Sequence, residues 1–151
     1  MRGRVRAIYL ASETGQPVEP VDRVRAVAKQ GLEGDRYFQT DPKAERGGCD
    51  LTCIEDEVVT AVEDEHSITL EPGAHRRNVV TEGVELNALV GESFRIGSVR
   101  CVGLERCEPC GYLEDLLAKA GLCRALAGRG GLRARIVESG IIGTGDAVSV
   151  P

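Results

Sequence analysis

The sequence predicts a mostly β, barrel-like domain with two or three helices, formed as a single unit over residues 1–151. Three observations lead there. Short apolar runs recur along the chain, parted by glycine-containing turns. Only two stretches show convincing helical spacing. There are also no Trp, three Tyr and two Phe, so the core must be built from Val, Leu, Ile and Ala.

Taken in order, residues 4–10 alternate, placing Val5, Ala7 and Tyr9 on one side of a first strand. A Gly-Gln-Pro turn follows at 15–17. Residues 21–28 fit neither period and read as extended or irregular. Gly31-Leu32-Glu33-Gly34-Asp35-Arg36-Tyr37 is a tight turn that either presents Asp35 and Arg36 at fixed angles or is a surface turn with a local ion pair. Residues 40–50 form a polar loop, 51–54 a short strand, and 55–65 a helix burying Val58, Val59 and Val62. Glu55, Asp56 and Glu57 crowd the first turn of that helix, where the dipole favours negative charge.

Residues 68–70 read as extended, and His75-Arg76-Arg77-Asn78 then enters a β-rich run that Gly83 ends. Residues 86–89 give at most one helical turn. Residues 94–96 and 99–104 form a hairpin around Gly97-Ser98. Apolar residues at 113, 116, 117, 120 and 123 predict a helix to about Ala127, stopped by Gly128-Arg129-Gly130-Gly131. A strand at 132–137, a turn at 140–145 and a closing strand at 147–150 complete the chain, with no internal repeat and no linker.

The formal net charge of -5 argues against general nucleic-acid binding, which needs a basic face. No apolar run is long enough to cross a bilayer. The basic residues of Met1–Arg6 have no apolar block behind them, so no secretory signal is expected. A cytoplasmic protein with reduced cysteines is the expectation, with Cys101 and Cys123 as plain core residues.

Chemistry concentrates at Glu105-Arg106-Cys107-Glu108-Pro109-Cys110, directly before a helix. A thiol at a helix N-terminus beside an arginine is pushed toward the thiolate, the form that attacks electrophiles and binds metals. Four readings stay open. The pair could be a redox dithiol, although no βαβ context is evident. It could be half of a zinc site with Cys49 and Cys53, although the separation far exceeds the usual spacing. It could supply one thiolate in an electropositive pocket walled by Arg76, Arg77, Arg106 and Arg129, whose forks suit oxyanions. Or it could be two small buried hydrophobes. His66 and His75 read as ordinary residues.

Several segments together resemble one family. Gly31-x-x-Gly34-Asp35-Arg36, Arg76-Arg77-Asn78-Val79-Val80-Thr81-x-Gly83, Leu86-x-x-Leu89-Val90-Gly91-x-x-Phe94-x-x-Gly97, Cys107-x-Pro109-Cys110 and Gly130-Gly131-Leu132-x-Ala134 with Gly145-Asp146 occur in this order in MOSC domains. The resemblance implies a mostly β, MOSC-type domain that binds the molybdenum cofactor (molybdopterin) or carries sulfur on a cysteine. Cys110 would be the metal ligand, with Cys107 its rival. Arg77 and Arg129 would hold the pterin phosphate, while Asn78 and Asp35 would orient ring or oxo groups. Two activities follow as expectations. One is a small molybdoenzyme that reduces N-hydroxylated or N-oxygenated small molecules, fed by an electron-donor protein. The other is a persulfide carrier or cofactor-delivery module, supplied by a partner cysteine desulfurase that holds the pyridoxal phosphate.

Overall fold

The computed structural model describes residues 2–39, 49–108 and 111–150. The expected loop at 40–50 and the Pro109-Cys110 pair therefore fall mostly or wholly outside the described residues. Eleven strands and three α-helices are present among them. The strands are β1 (Arg2–Leu10), β2 (Glu19–Val21), β3 (Arg23–Val27), β4 (Gly31–Leu32), β5 (Leu51–Glu55), β6 (Val79–Glu82), β7 (Ser93–Ile96), β8 (Val99–Arg106), β9 (Leu132–Glu138), β10 (Gly140–Gly143) and β11 (Ala147–Ser149). The helices are α1 (Asp56–His66), α2 (Gly111–Leu117) and α3 (Leu122–Leu126), and Leu86–Leu89 forms a 3-10 turn.

The main sheet runs β11-β7-β8-β9-β5-β6-β1-β2, and an additional β11–β1 pairing closes seven of these strands into a barrel. Closure leaves no bare edge within the ring, and β2 continues only one end of β1. A smaller sheet, β10-β3-β4, packs beside it. Phe94, Leu51, Ile96, Leu132, Ile136 and Cys101 are among the buried residues of the barrel core. A second cluster forms where the helices cover β5 and β6, joining Ile54 and Val80 to Val58, Val62, Leu122 and Leu126. Those two strands are consequently buried on both faces, which is why 51–54 and 79–81 read as near-continuous apolar runs.

Four details differ from the sequence reading. In β1 the pairing with β6 slips between Val5 and Ala7, so Val5 and Ile8 enter the barrel core while Ala7 and Tyr9 meet the helix layer. The single helix expected from 113 to 127 is two short ones, because Ala118 (φ 52°) and Gly121 (φ 86°) adopt left-handed backbone that an α-helix cannot continue. Residues 140–143, expected as a turn, pair with β3, a segment left undecided by its pattern. Finally, β5-α1-β6 is one parallel crossover unit, so a βαβ arrangement is present after all, though the Cys107 segment follows β8 instead.

Candidate functional site

The side chains of interest gather over the outer face of the β5–β9 pair, where Thr52 and Arg133 are register partners, brought there by segments that adjoin the ends of several strands. Thr14 follows β1, Arg36 follows β4, Arg76 and Arg77 precede β6, Cys107 follows β8 and Arg133 lies near the start of β9. Together with Tyr37, Thr52, Glu108, Tyr112 and Leu113 they line a cavity of about 310 Å³.

The arginines are held by different devices. Asp35 is buried; its Oδ1 accepts the Ala11 N–H at 3.1 Å and the Arg36 Nη1 at 3.2 Å, while Oδ2 accepts the Tyr37 N–H at 3.4 Å. The Arg36 N–H in turn donates to the Ala11 carbonyl at 2.7 Å, so the turn is pinned to β1 from both sides. Asp35 thus positions Arg36, whose guanidinium also stacks 4.5 Å from the Tyr37 ring centroid. Arg77 donates from Nε to the Gly130 carbonyl at 2.8 Å and from Nη1 to the His75 carbonyl at 2.9 Å. Its charge has no carboxylate partner among the described residues.

Arg76 is the most telling. Its backbone is left-handed, with φ 64°, a conformation that costs a residue with a Cβ about 1–2 kcal/mol. Nη1 donates to the Gln16 carbonyl at 2.7 Å, but Nη2 is buried with no hydrogen-bond partner among the described residues. Burial, and then the charge of nearby Arg36, lower its pKa from the ordinary arginine value. A buried unpaired guanidinium donor costs free energy unless an anion arrives to accept from it.

Cys107 is buried and its N–H donates to the Gly131 carbonyl at 2.7 Å. Gly131 itself lies hard against β5: at φ 119°, a Cβ there would lie 2.1 Å from the Cys53 carbonyl oxygen. The thiols deeper in the barrel are inert by environment. Burial raises Cys101 to about 12 and pushes Cys53 well above the ordinary thiol range. The five cysteines among the described residues are free thiols. Cys123, expected in the core, is only half-buried beside α2.

Not every expected residue reaches the cavity. Asn78 is buried beneath it: Oδ1 accepts from the Thr52 N–H (3.1 Å) and hydroxyl (3.2 Å), and Nδ2 donates to the Tyr9 carbonyl (3.2 Å). It ties β5, β6 and β1 together. Arg106 turns outward to Glu108 at 3.5 Å. Arg129 braces the helices, donating to the Ala125 carbonyl at 2.9 Å and pairing with Glu65 at 3.2 Å. Cys110 lies outside the described residues. Arg133, Thr52, Tyr37 and Tyr112 were missed as lining residues. The alternation of β9, with Leu132 and Ala134 buried, does mark Arg133 as facing away from the barrel core, but only topology places it at the cavity.

Residues 48–149 match the family described as MOSC domain. The chain belongs to the MOSC domain family. That family is linked to binding of the molybdenum cofactor. Among solved structures, this MOSC domain is similar to the YuaD protein from Bacillus subtilis, with a TM-score of 0.83 and 17% identity, covering 98% of this chain and 94% of that one. It is also similar to YiiM from Geobacillus stearothermophilus (TM-score 0.75, 17% identity, 99% of this chain and 75% of that one). YiiM from Escherichia coli is comparable (TM-score 0.74, 18% identity, 100% of this chain and 70% of that one). At such identities the likeness is one of fold. No curated protein matches the chain. The helices of the MOSC domain include none long and apolar enough to cross a membrane among the described residues.

The cavity's donor set suits an anionic cofactor with a phosphate end. Its rim supplies arginine forks, an unpartnered buried nitrogen at Arg76 and one thiol at Cys107. Among the described residues no group of three or more His, Cys, Asp or Glu side chains could hold a bare metal ion.

Proposed function

We propose that the chain binds the molybdenum cofactor at this cavity and acts as a small molybdoenzyme that reduces N-hydroxylated compounds. The observation that carries the reading is the juxtaposition of Arg76, with its buried unpartnered Nη2, with Arg77 and the Cys107 thiol around one cavity. Arg76 and Arg77 would hold the phosphate, Arg36 would balance further negative charge, and Cys107 or Cys110 would supply a thiolate to the metal, while Arg133 in the lining is already paired with Glu105 at 3.7 Å. Asp35 and Asn78 act through others, by fixing Arg36 and the start of β6.

When bound, the cofactor supplies the redox centre. Reduction of an N-hydroxylamine consumes two electrons and two protons, breaks the N–O bond, and releases an amine and water. The electrons come from a separate redox protein. Leu113 and Tyr112, from α2, form one wall of the cavity.

The test is expression in a host that makes the cofactor, with molybdenum and pterin phosphate measured per chain. Near-stoichiometric molybdenum, lost in only one of Cys107→Ala and Cys110→Ala, names the ligand. Arg77→Ala should lose pterin and metal together. Turnover of an N-hydroxylated base should vanish with the ligand cysteine. Bound cofactor without turnover would favour the carrier or delivery role, and no cofactor in any preparation would sink the reading.

A further inference from the structure

A second cavity, of about 280 Å³, also has Arg76 in its lining. Pro17 and Val18 from the segment after β1, Pro72 before β6, and Leu116 and Leu117 from α2 give it an apolar lining. Arg76 is the residue it shares with the first cavity, and the only charged side chain lining it among the described residues. One arm of that guanidinium is committed to the Gln16 carbonyl, in the same segment as Pro17, while Nη2 is buried and unpartnered. An apolar chamber with a single placed cation is the chemistry of a site for a small amphiphilic anion.

We infer that the second cavity binds a small apolar carboxylate, its hydrocarbon part among Pro17, Val18, Leu116 and Leu117 and its carboxylate on Arg76. A carboxylate accepts directionally from a guanidinium and, once the side chain turns to present the occluded Nη2, would satisfy a donor that a neutral apolar molecule leaves unpaired. Because Arg76 also lines the first cavity, a carboxylate here draws on the guanidinium that a phosphate there would use. The two ligands therefore oppose one another, and by linkage each weakens the other by the same factor. The site stands on the lining and on Arg76 alone, whichever activity the first cavity serves.

Calorimetric titration of the full chain with octanoate, octanamide and inorganic phosphate tests this. Octanoate should bind, octanamide at least about tenfold more weakly, and octanoate should raise the apparent dissociation constant of phosphate. Leu116→Glu, on a half-exposed wall, should weaken octanoate by at least about tenfold and leave phosphate unchanged. Equal affinity for octanoate and octanamide, octanoate binding indifferent to Leu116→Glu, or no octanoate binding at millimolar concentration each overturns the inference. If Leu116→Glu fails to fold, the contrast between octanoate and octanamide on the unaltered chain decides. Octanoate that binds where phosphate does not would count against the cofactor reading and leave this one standing.

Discussion

Arg76 offers the sharpest test, because a site built to receive an anion should be under strain without one. Replacing it with glycine removes a left-handed Cβ, worth about 1–2 kcal/mol, and a buried unpaired donor, worth about 1–3 kcal/mol. Against this stand the lost hydrogen bond to the Gln16 carbonyl, about 1.5–3 kcal/mol for a charged donor, and the greater freedom of unfolded glycine, about 0.5–1 kcal/mol. The terms sum to between about 2 kcal/mol lost and about 3 kcal/mol gained, centred near zero on the stabilising side. Arg76→Ala keeps the backbone strain and should be about 1 kcal/mol less stable than Arg76→Gly. That ordering reverses the usual preference for alanine.

Urea unfolding in a buffer free of oxyanions measures all three proteins. Repeating it in phosphate should raise the wild-type midpoint and leave both variants unmoved, since only a ligand of the native state adds stability. If Arg76→Gly is instead destabilised by about 2 kcal/mol or more without phosphate, Arg76 is a structural strut and the stranded-donor argument fails.

Three further outcomes follow from the same site. Asn78→Ala removes three buried hydrogen bonds and should cost about 3 kcal/mol, read as a lower urea midpoint; a cost below about 1 kcal/mol would deny its role in joining β5, β6 and β1. Gly131→Ala places a Cβ against the Cys53 carbonyl at a positive φ, and should cost more than about 2 kcal/mol and weaken phosphate binding by displacing the Cys107 and Arg77 segments; a stable, fully binding variant would refute the close approach. His75 is held down to about 4 by burial first and by Arg77 second, so its neutral form belongs to the folded state. Stability is then fullest above the unfolded value near 6.5, falls as pH drops through that value, and levels off below 4, losing up to about 3 kcal/mol. His75→Asn, which keeps an acceptor for the Arg77 N–H, should flatten this part of the pH–stability curve, and an unchanged slope would place the proton elsewhere.

What the sequence disclosed, and what it withheld, follows from the range of the interactions involved. The hairpin of β7 and β8 was legible because its turn and alternation are local, and α1 because its acidic first turn and valine stripe are local as well. The split of α2 from α3 was not, since the apolar spacing continues across a backbone break at Ala118 that no side chain announces. Residues 140–143 become a strand only through pairing with β3, itself ambiguous in pattern, so neither could be read without the other. Of the residues singled out from local motifs, Arg76, Arg77, Arg36 and Cys107 line the cavity, whereas Arg106 and Arg129 shared that chemistry and were carried elsewhere by their own carboxylates.

That sorting has a physical basis. An arginine with a carboxylate in reach is already satisfied: Arg129 has Glu65, Arg106 has Glu108, and Arg133, although it lines the cavity, has Glu105. Arg77 has only backbone carbonyls and Arg76 has one carbonyl and an empty arm, so their positive charge is left to the cavity. Arg36 falls between, its charge tempered by Asp35 yet its position fixed by it. The chain as a whole carries a formal net charge of -5, so an anion reaching this cavity meets a local field opposite to the global one. Salt should therefore weaken phosphate binding chiefly through these few buried or half-buried guanidinium groups, not through a diffuse basic surface, and the dependence should be shallow.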